Sequence, residues 1–217
     1  MRIAVVGSGG HAKVVRDTID ACGSEFAGFL DPMRDPETRG DIPIIDHLPS
    51  DESTFLAIGI GDNELRKEAV RKIRDLMGES DARWAPPLIH PSASVSSSAL
   101  IGPGSVISAG ANVGPEAQLG EHCLVNTMAN VEHDARLGPY SALAPGAMVG
   151  GASRMGEGAF IAMGATVIQG RSVGEWSWIG AQALVLEDVP ASELWFGQPA
   201  KYVRKLIKGE SPFTRRP

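Results

Sequence analysis

Three titratable residues stand side by side near the middle of the chain: Glu132, His133 and Asp134. Small and aliphatic residues flank them on both sides, so the local composition does not explain a polar cluster. A histidine ordinarily titrates near pH 6.5 and can take a proton from an attacking nucleophile at neutral pH. A neighbouring carboxylate can fix the ring's tautomer and stabilise the imidazolium. The patch therefore predicts general-base chemistry by His133. Adjacent residues in a strand point to opposite faces, so the two carboxylates cannot both be assumed to touch the ring, and geometry must decide which one supports it.

A second candidate site lies near the N-terminus, in a glycine-rich turn made of Gly7, Ser8, Gly9, Gly10 and His11. The turn separates an apolar stretch from a helical pattern, and its "GSGGHA" fits G-x-G-x-x-A. Asp31 ends the next apolar stretch, where a ribose-binding acid would be expected. Bare backbone N–H groups at a helix start suit a phosphate or a polar sugar. The turn therefore predicts a site for a ligand of that kind.

The elements that position the His133 patch come from a period of six residues, which runs unbroken from Ile89 to Pro190. The first position is Ile, Val, Leu or Met in all 17 blocks, and the fifth is Ala, Ser or Cys in 15 of them. A helix would need apolar residues three and four apart, and a hairpin strand would need strict alternation. A fixed six indicates short strands joined by regular turns, as in a parallel β-helix.

The N-terminal part has a different pattern, with apolar strands alternating with amphipathic helices. "RIAVVG", "EFAGFLD" and "TFLAIGIG" are typical of buried strands, and "KVVRDTIDACG" and "NELRKEAVRKIRDLMG" of helices, the first closed by Gly23. This order predicts an open parallel sheet, half of a dinucleotide-binding fold. We therefore expect an α/β domain over residues 1–85, a β-helix over 86–190, and a C-terminal cap and tail over 191–217.

Composition excludes several classes of function. The formal net charge of −6 argues against broad electrostatic binding to nucleic acid or anionic membranes. No stretch approaches the roughly 18 apolar residues of a membrane span. Cys22 and Cys123 lie far apart, which gives neither a disulfide framework nor a thiolate zinc site. We expect a cytoplasmic protein with no metal, no nucleic acid and no membrane partner.

The order of motifs along the chain resembles that of a known family. "GSGGHAKVV", "FLDP", "AIGIGDNELR", "LIHPSA", hexapeptides containing "VEHD", and "GQPAKYV" follow one another over nearly the whole chain. This succession is similar to that of the bacterial nucleotide-sugar acyltransferases related to the sialic acid O-acetyltransferases and the N-acetyltransferases of bacillosamine and perosamine synthesis. The resemblance implies a left-handed β-helix with three blocks per coil, and a homotrimer. It also implies acetyl-CoA-dependent N-acetylation of a nucleotide-linked amino sugar, a 4-amino-4,6-dideoxy sugar used for cell-surface polysaccharide.

The same resemblance implies roles for individual residues. It makes His133 the catalytic base and Asp134 the acid that supports it. It places nucleotide-sugar contacts on Ser8, Gly9, Gly10, His11, Asp31, Gly61, Asp62 and Asn63, and acetyl-CoA contacts on Ala142, Met163 and Ala181. The chain departs from many relatives at Ala142, where they carry a second histidine near the thioester. An oxyanion role would then fall to a backbone N–H group.

Other interpretations stay open at this point. The glycine-rich turn is compatible with NAD binding, although the second half of a dinucleotide fold is missing. A β-helical carbonic anhydrase would need histidines such as His90, His122 and His133 to converge on zinc. Sugar O-acetylation could use the same base. A non-catalytic nucleotide-sugar sensor or scaffold would leave His133 as an ordinary exposed residue.

Overall fold

The computed structural model of the chain describes residues 1–31, 44–45, 49, 53–77, 83–207 and 209–210. Residues 32–43 and the last residues of the expected tail lie outside these ranges. The predicted fold class, an α/β domain followed by a left-handed parallel β-helix, is confirmed. Neither helix in the described ranges has the length and apolar character needed to cross a membrane.

The N-terminal domain is a parallel sheet with a helix on each side. Its strands β1 (Arg2–Val6), β2 (Glu25–Leu30), β3 (Ile44–Ile45) and β4 (Thr54–Ile58) lie in the order β3-β2-β1-β4. Helix α1 (Gly10–Ala21) joins β1 to β2, and α2 (Asn63–Met77) follows β4. Alternate residues of β1 belong to different clusters: Ile3 and Val5 pack with α1, and Ala4 packs with α2. The apolar runs in the sequence are thus strands buried on both faces.

Helix α1 ends where the sequence predicts. Gly23 adopts a φ of +68°, which a residue with a side chain rarely takes. Its N–H donates to the carbonyl of Asp20 at 3.0 Å, and Ser24 N–H donates to Ile19 O at 3.1 Å. These two bonds satisfy carbonyls that the last turn would otherwise leave unpaired. The chain then turns directly into β2.

The hexapeptide region is a triangular prism of 17 two-residue strands, one per block. We call its three faces the domain face, the asparagine face and the glycine face. The domain face, on which the α/β domain packs, contains β5 (Leu88–Ile89), β8 (Val106–Ile107), β11 (Leu124–Val125), β14 (Ala142–Leu143), β17 (Phe160–Ile161) and β20 (Trp178–Ile179). The asparagine face contains β6 (Ser94–Val95), β9 (Asn112–Val113), β12 (Asn130–Val131), β15 (Met148–Val149), β18 (Thr166–Val167) and β21 (Leu184–Val185). The glycine face contains β7 (Leu100–Ile101), β10 (Gln118–Leu119), β13 (Arg136–Leu137), β16 (Arg154–Met155) and β19 (Ser172–Val173).

Each coil of the prism uses three blocks, because partners on every face are eighteen residues apart, as in Gln118 with Arg136. First-position residues such as Val131 and Leu143 are essentially inaccessible, and so are fifth-position residues such as Ala129 and Ala147. Burying one aliphatic side chain of this kind contributes roughly 1.5–3 kcal/mol. The period of six therefore fills one continuous core along the prism axis.

The fourth position of most blocks lies in a turn and takes a left-handed backbone. Gly146 and Gly158 have φ of +68° and +64°, and His122 and Asp134 have φ of 54° and 59°. Asparagine, aspartate and histidine tolerate this region better than most residues. The expectation that Glu132, His133 and Asp134 could share a strand is therefore wrong. The strand ends at Val131, and His133 and Asp134 form the turn.

The C-terminal segment closes the domain face. Strand β22 (Glu193–Phe196) pairs with β20, and β23 (Lys201–Lys205) returns antiparallel to β22. The basic residues of β23 have carboxylate partners within the chain: Lys201 with Glu187, Arg204 with Glu210, and Lys205 with Glu193. These internal pairs leave less of their positive charge for an external phosphate.

Candidate functional site

His133 and Asp134 contact each other at the prism edge between the asparagine face and the glycine face. His133 Nδ1 lies 2.8 Å from Asp134 Oδ2, and their side chains are 61% and 60% exposed. Glu132 instead accepts a hydrogen bond from Asn130 Nδ2 at 2.6 Å. A carboxylate can only accept, so its partner Nδ1 carries the hydrogen and Nε2 of the neutral ring keeps a free lone pair. Asp134 orients the ring, and Nε2 is the atom that can take a proton.

The His133 ring lies over Gly151, which occupies the same position one coil further along. A Cβ on Gly151 would stand 2.6 Å from both Nε2 and Cε1 of His133. Real Cβ atoms essentially never come that close, so any side chain at residue 151 must displace the ring. Our sequence interpretation missed Gly151. The signal that finds it is the eighteen-residue coil, which places residues 133 and 151 on top of each other.

The glycine-rich turn between β1 and α1 presents open backbone. Gly7 has a φ of +90°, and a Cβ there would lie 3.1 Å from Ile60 Cγ1. Gly9 caps α1 and Gly10 is its first residue, and a Cβ on either would meet nothing within 4 Å. Ser8, buried beside them, donates its hydroxyl hydrogen to Asp31. The N-cap Gly9 makes no side-chain cap hydrogen bond, and backbone N–H groups at a helix start have no intrahelical partner, so the open space beside Gly9 and Gly10 can admit a polar ligand.

His11 extends from the start of α1 into a cleft of about 340 Å³ between the α/β domain and the prism. Its Nε2 is buried, with no hydrogen-bond partner among the described residues. The pKa of His11 is lowered to about 4, mainly because the ring is buried and secondly because Arg66 is positively charged. The ring is therefore neutral at pH 7, and a ligand in the cleft could satisfy Nε2.

The cleft also brings together the three residues expected to contact acetyl-CoA. Ala142, Met163 and Ala181 line its prism side, and Gly61 joins His11 on the domain side. The amide of Ala142 already donates to Ala159 O at 2.9 Å, so it is not available to an oxyanion. The turn amides of Met163 and Ala181 donate no hydrogen bond within the described part of the chain. Those two amides are therefore backbone donors that this wall offers.

The side chains of Asp62 and Asn63 form hydrogen bonds within the protein and do not face the cleft. Asp62 caps α2, because its Oδ1 accepts from Leu65 N–H at 2.9 Å. Asn63 is buried and donates Nδ2–H to the carbonyl of Gly158 at 3.0 Å. Neither residue lines the cleft. Their contact with a nucleotide sugar stays a prediction.

Arg66 is a second residue that our sequence interpretation missed. The side chain is fully inaccessible at the junction of the α/β domain and the prism, and burial lowers its pKa to about 10. A buried arginine is rare unless all its donors are used. The sequence offers only a weak signal, since Arg66 occupies an ordinary position in an amphipathic helix.

His122 is enclosed in the core of the same junction. Its ring packs edge-on against Trp84 with centroids 4.7 Å apart and stacks on Tyr140 at 5.5 Å. Burial is the largest cause of its pKa falling to about 4. It lies on a different prism edge from His133, so the two cannot share a zinc ion within one chain. No group of three or more metal-binding side chains occurs in the described ranges.

Comparisons with known proteins agree with both halves of the chain. Residues 2–73 match the family model described as the PglD N-terminal domain. A curated protein of Bacillus subtilis (strain 168), UDP-N-acetylbacillosamine N-acetyltransferase, is 35% identical over 124 residues. That match covers 49% of this chain and 51% of the other protein. The chain thus matches about half the length of this relative.

Solved structures match over much longer ranges. PerB from Caulobacter crescentus, determined with CoA and GDP-perosamine, is 36% identical with a TM-score of 0.84, over 94% of this chain and 98% of that one. The acetyltransferase domain of PglB from Neisseria gonorrhoeae FA1090, determined with acetyl coenzyme A, is 32% identical with a TM-score of 0.83. That alignment covers 93% of this chain and 98% of the domain.

Proposed function

This chain belongs to the bacterial hexapeptide-repeat sugar acetyltransferases, and from that premise we propose that it transfers an acetyl group from acetyl-CoA to a nucleotide-linked amino sugar, with His133 as general base. The observation that carries the assignment of the base is the 2.8 Å contact of His133 Nδ1 with Asp134. The acceptor class follows that of the relatives, and a 4-amino-4,6-dideoxy sugar is its expected form. Both substrates are phosphorylated and charged, so we place the reaction in the cytoplasm.

The chemistry needs no covalent intermediate on the enzyme. The sugar amine attacks the thioester carbonyl carbon, and His133 Nε2 takes a proton from the nitrogen. The C–N bond is then in place, and collapse of the tetrahedral intermediate breaks the C–S bond. The imidazolium returns its proton to the departing CoA sulfur. Asp134 stabilises the imidazolium between these two steps.

The cleft offers complementary walls for the two substrates. We place the nucleotide sugar at the open backbone of Gly9 and Gly10, with Ser8 and Asp31 beside it and His11 facing inward. Acetyl-CoA lies along the prism wall of Ala142, Met163 and Ala181, and its amide carbonyls can accept from the two unused turn amides. Ala142 leaves no side-chain donor for the oxyanion, so that charge needs a backbone N–H or a group from elsewhere.

The position of His133 implies a site shared between subunits. The cleft lies on the domain face, and His133 lies on the edge opposite that face, with the prism core between them. One chain therefore cannot bring its own His133 to its own cleft. In a homotrimer of parallel prisms, the edge that bears His133 in one subunit can approach the cleft of its neighbour. We therefore propose a trimer in which each active site uses two chains.

Gly10→Val tests the nucleotide-sugar position. Space is open where the new side chain would stand, so the protein should fold, but the bulk would block approach to the start of α1. We expect the KM for the nucleotide sugar to rise at least about tenfold, with the KM for acetyl-CoA little changed. Steady-state kinetics in each substrate measure this. An unchanged KM in a folded variant would move the binding site elsewhere.

Gly151→Ala tests the orientation of the base. The added methyl group must push the His133 ring away from its present position, and a displacement of about 1 Å can lower turnover roughly a hundredfold. We expect kcat to fall by about tenfold to a hundredfold. Gln169→Ala, on the same edge one coil further, is the matched control and should leave kcat unchanged. Normal turnover in folded Gly151→Ala would argue against a fixed ring.

A thiol-release assay distinguishes this function from its alternatives. Acetyl-CoA is mixed with nucleotide-linked amino sugars, and with matched sugars that carry a hydroxyl in place of the amine. Thiol release with the amines alone supports N-acetylation. Release with the hydroxyl sugars alone would assign O-acetylation. Binding of nucleotide sugar without release would indicate a sensor or scaffold.

A further inference from the structure

Arg66 uses all five of its N–H groups inside the protein. Nη1 donates to the carbonyls of Ile60 at 3.1 Å and Gly61 at 3.0 Å. Nη2 donates to Asn63 Oδ1 at 2.8 Å and to Tyr140 O at 2.7 Å, and Nε donates to His122 O at 3.0 Å. All five acceptors are neutral oxygens, and four are main-chain carbonyls. The guanidinium therefore binds backbone on both sides of the domain junction.

The prism carbonyls at this junction form a regular series. His122, Tyr140 and Gly158 are fourth-position turn residues of three consecutive coils, each eighteen residues from the next. Arg66 binds the first two carbonyls, and Asn63 Nδ2 binds the third at 3.0 Å. Two side chains from the first turn of α2 thus fix the helix against three successive coils.

Each of these three carbonyls lies two residues before a residue that lines the cleft. His122 precedes Leu124, Tyr140 precedes Ala142, and Gly158 precedes Phe160. On the domain side, Arg66 binds Gly61, which lines the opposite wall beside His11. The same guanidinium is therefore bonded to Gly61 of one wall and to carbonyls two residues before Leu124 and Ala142 of the other.

From these contacts we infer that Arg66 is a positioning residue for the acetyl transfer, and sets the distance between the nucleotide-sugar wall and the acetyl-CoA wall. The inference rests on the proposed function, because it gives the cleft its two substrates. The Arg66 side chain does not line the cleft, so it acts through the residues it binds. Its charge also acts on His11 and helps to keep that ring neutral.

The planar guanidinium suits this role in a way that lysine cannot. Arginine presents five donors in a rigid fork, whereas an ammonium group offers three donors from one point. Lysine at residue 66 could keep the charge but could not reach the carbonyls of both walls at once. Methionine would keep much of the side-chain volume and leave every one of these oxygens without its donor.

The experiment compares Arg66→Lys, Arg66→Met and Asn63→Ala with the control Arg71→Lys. Arg71 lies on the same helix, but it is exposed, and its partners among the described residues are Glu68 and Asp75 of α2. Oligomeric state and thermal unfolding establish that each variant is folded at the assay temperature. Asn63→Ala removes the hydrogen bond to the carbonyl of Gly158. It provides the test if both Arg66 variants fail to fold.

Three measurements separate positioning from general stability. We expect kcat/KM for the nucleotide sugar to fall about tenfold to a hundredfold in Arg66→Lys, measured well below its unfolding temperature. Affinity for CoA alone, by calorimetry, should stay within about threefold, because its contacts at Met163 and Ala181 lie on the prism. Amide hydrogen exchange should quicken in residues 59–63 of the variant and not in the prism core. Arg71→Lys should change none of these.

The outcomes are distinguishable from a failure of the proposed function. If wild-type protein is active and folded Arg66→Lys and Asn63→Ala match it within twofold, the inference is wrong. The same holds if CoA affinity falls as much as kcat/KM does. If wild-type protein acetylates no nucleotide-linked sugar, the proposed function fails. Faster exchange confined to residues 59–63 would even then support the role of Arg66 in holding the cleft wall.

Discussion

Replacing His133 with alanine or asparagine should lower kcat by about a hundredfold to ten-thousandfold, the usual contribution of a positioned general base. The imidazole is the group that can accept the amine proton, and asparagine keeps a polar side chain without a base. Affinity for acetyl-CoA should change little, because its proposed contacts are Met163 and Ala181 of the prism wall, which the substitution leaves unchanged. Steady-state thiol release at saturating concentrations of both substrates gives kcat directly.

Asp134→Asn should lower kcat by a smaller factor than His133→Ala does. An amide can no longer stabilise the imidazolium, so proton transfer from the amine to His133 becomes less favourable and kcat should fall. An exposed histidine with no role could be replaced at a cost within about 0.5 kcal/mol of stability. A folded His133→Ala trimer with near-normal turnover would therefore remove His133 as the base.

Mixing two impaired variants should raise activity above that of either one. His133→Ala keeps an intact cleft and Gly10→Val keeps an intact base, and at limiting nucleotide sugar each variant alone should have at most about a tenth of the wild-type rate. When the two chains are co-expressed and assemble at random, about a quarter of the sites combine a good cleft with a good neighbouring base. We therefore expect about a quarter of the wild-type rate or slightly more from the mixture.

The recovery depends on the site being shared between chains. If one chain supplied both groups, every subunit in the mixture would carry a defect and no activity would return. The control is to mix the separately folded trimers without subunit exchange, which should give no recovery. Absence of activity in verified mixed trimers would contradict the shared site and leave the position of the base to be explained within one chain.

The sequence by itself determined the β-helix, because the pattern of aliphatic and small residues repeats every six residues and can be seen within any short segment. An aliphatic residue at the first position and a small one at the fifth are both buried in every central coil. The ladder of each face then follows from a repeat of eighteen residues. The α/β half was predictable for a similar reason, since strands and helices differ in the spacing of apolar residues. Gly23 closes α1 because it tolerates a positive φ.

The candidate site was predictable only in part. The sequence placed His133 beside two carboxylates but could not choose between them, and the left-handed turn at Asp134 made the choice. The resemblance pointed to His11, Gly61, Ala142, Met163 and Ala181, which are distant in sequence and line one cleft in the structure. Asp62 and Asn63 do not line that cleft, since Asp62 caps α2 and Asn63 binds the prism, and their contact with a nucleotide sugar stays a prediction.

Tertiary structure alone decided how the two halves face each other. The Arg66 side chain reaches His122 and Tyr140, which are 56 and 74 residues away in the sequence, and no period links α2 to the coils. The neutral state of His11 also depends on burial that exists only after the domains meet. The separation of His133 from the cleft follows from folding three blocks into a triangle, which puts each edge opposite a face. The six-residue period predicts which residues of a coil are buried. The packing of α2 against the prism depends on hydrogen bonds between residues whose spacing in the sequence shows no pattern.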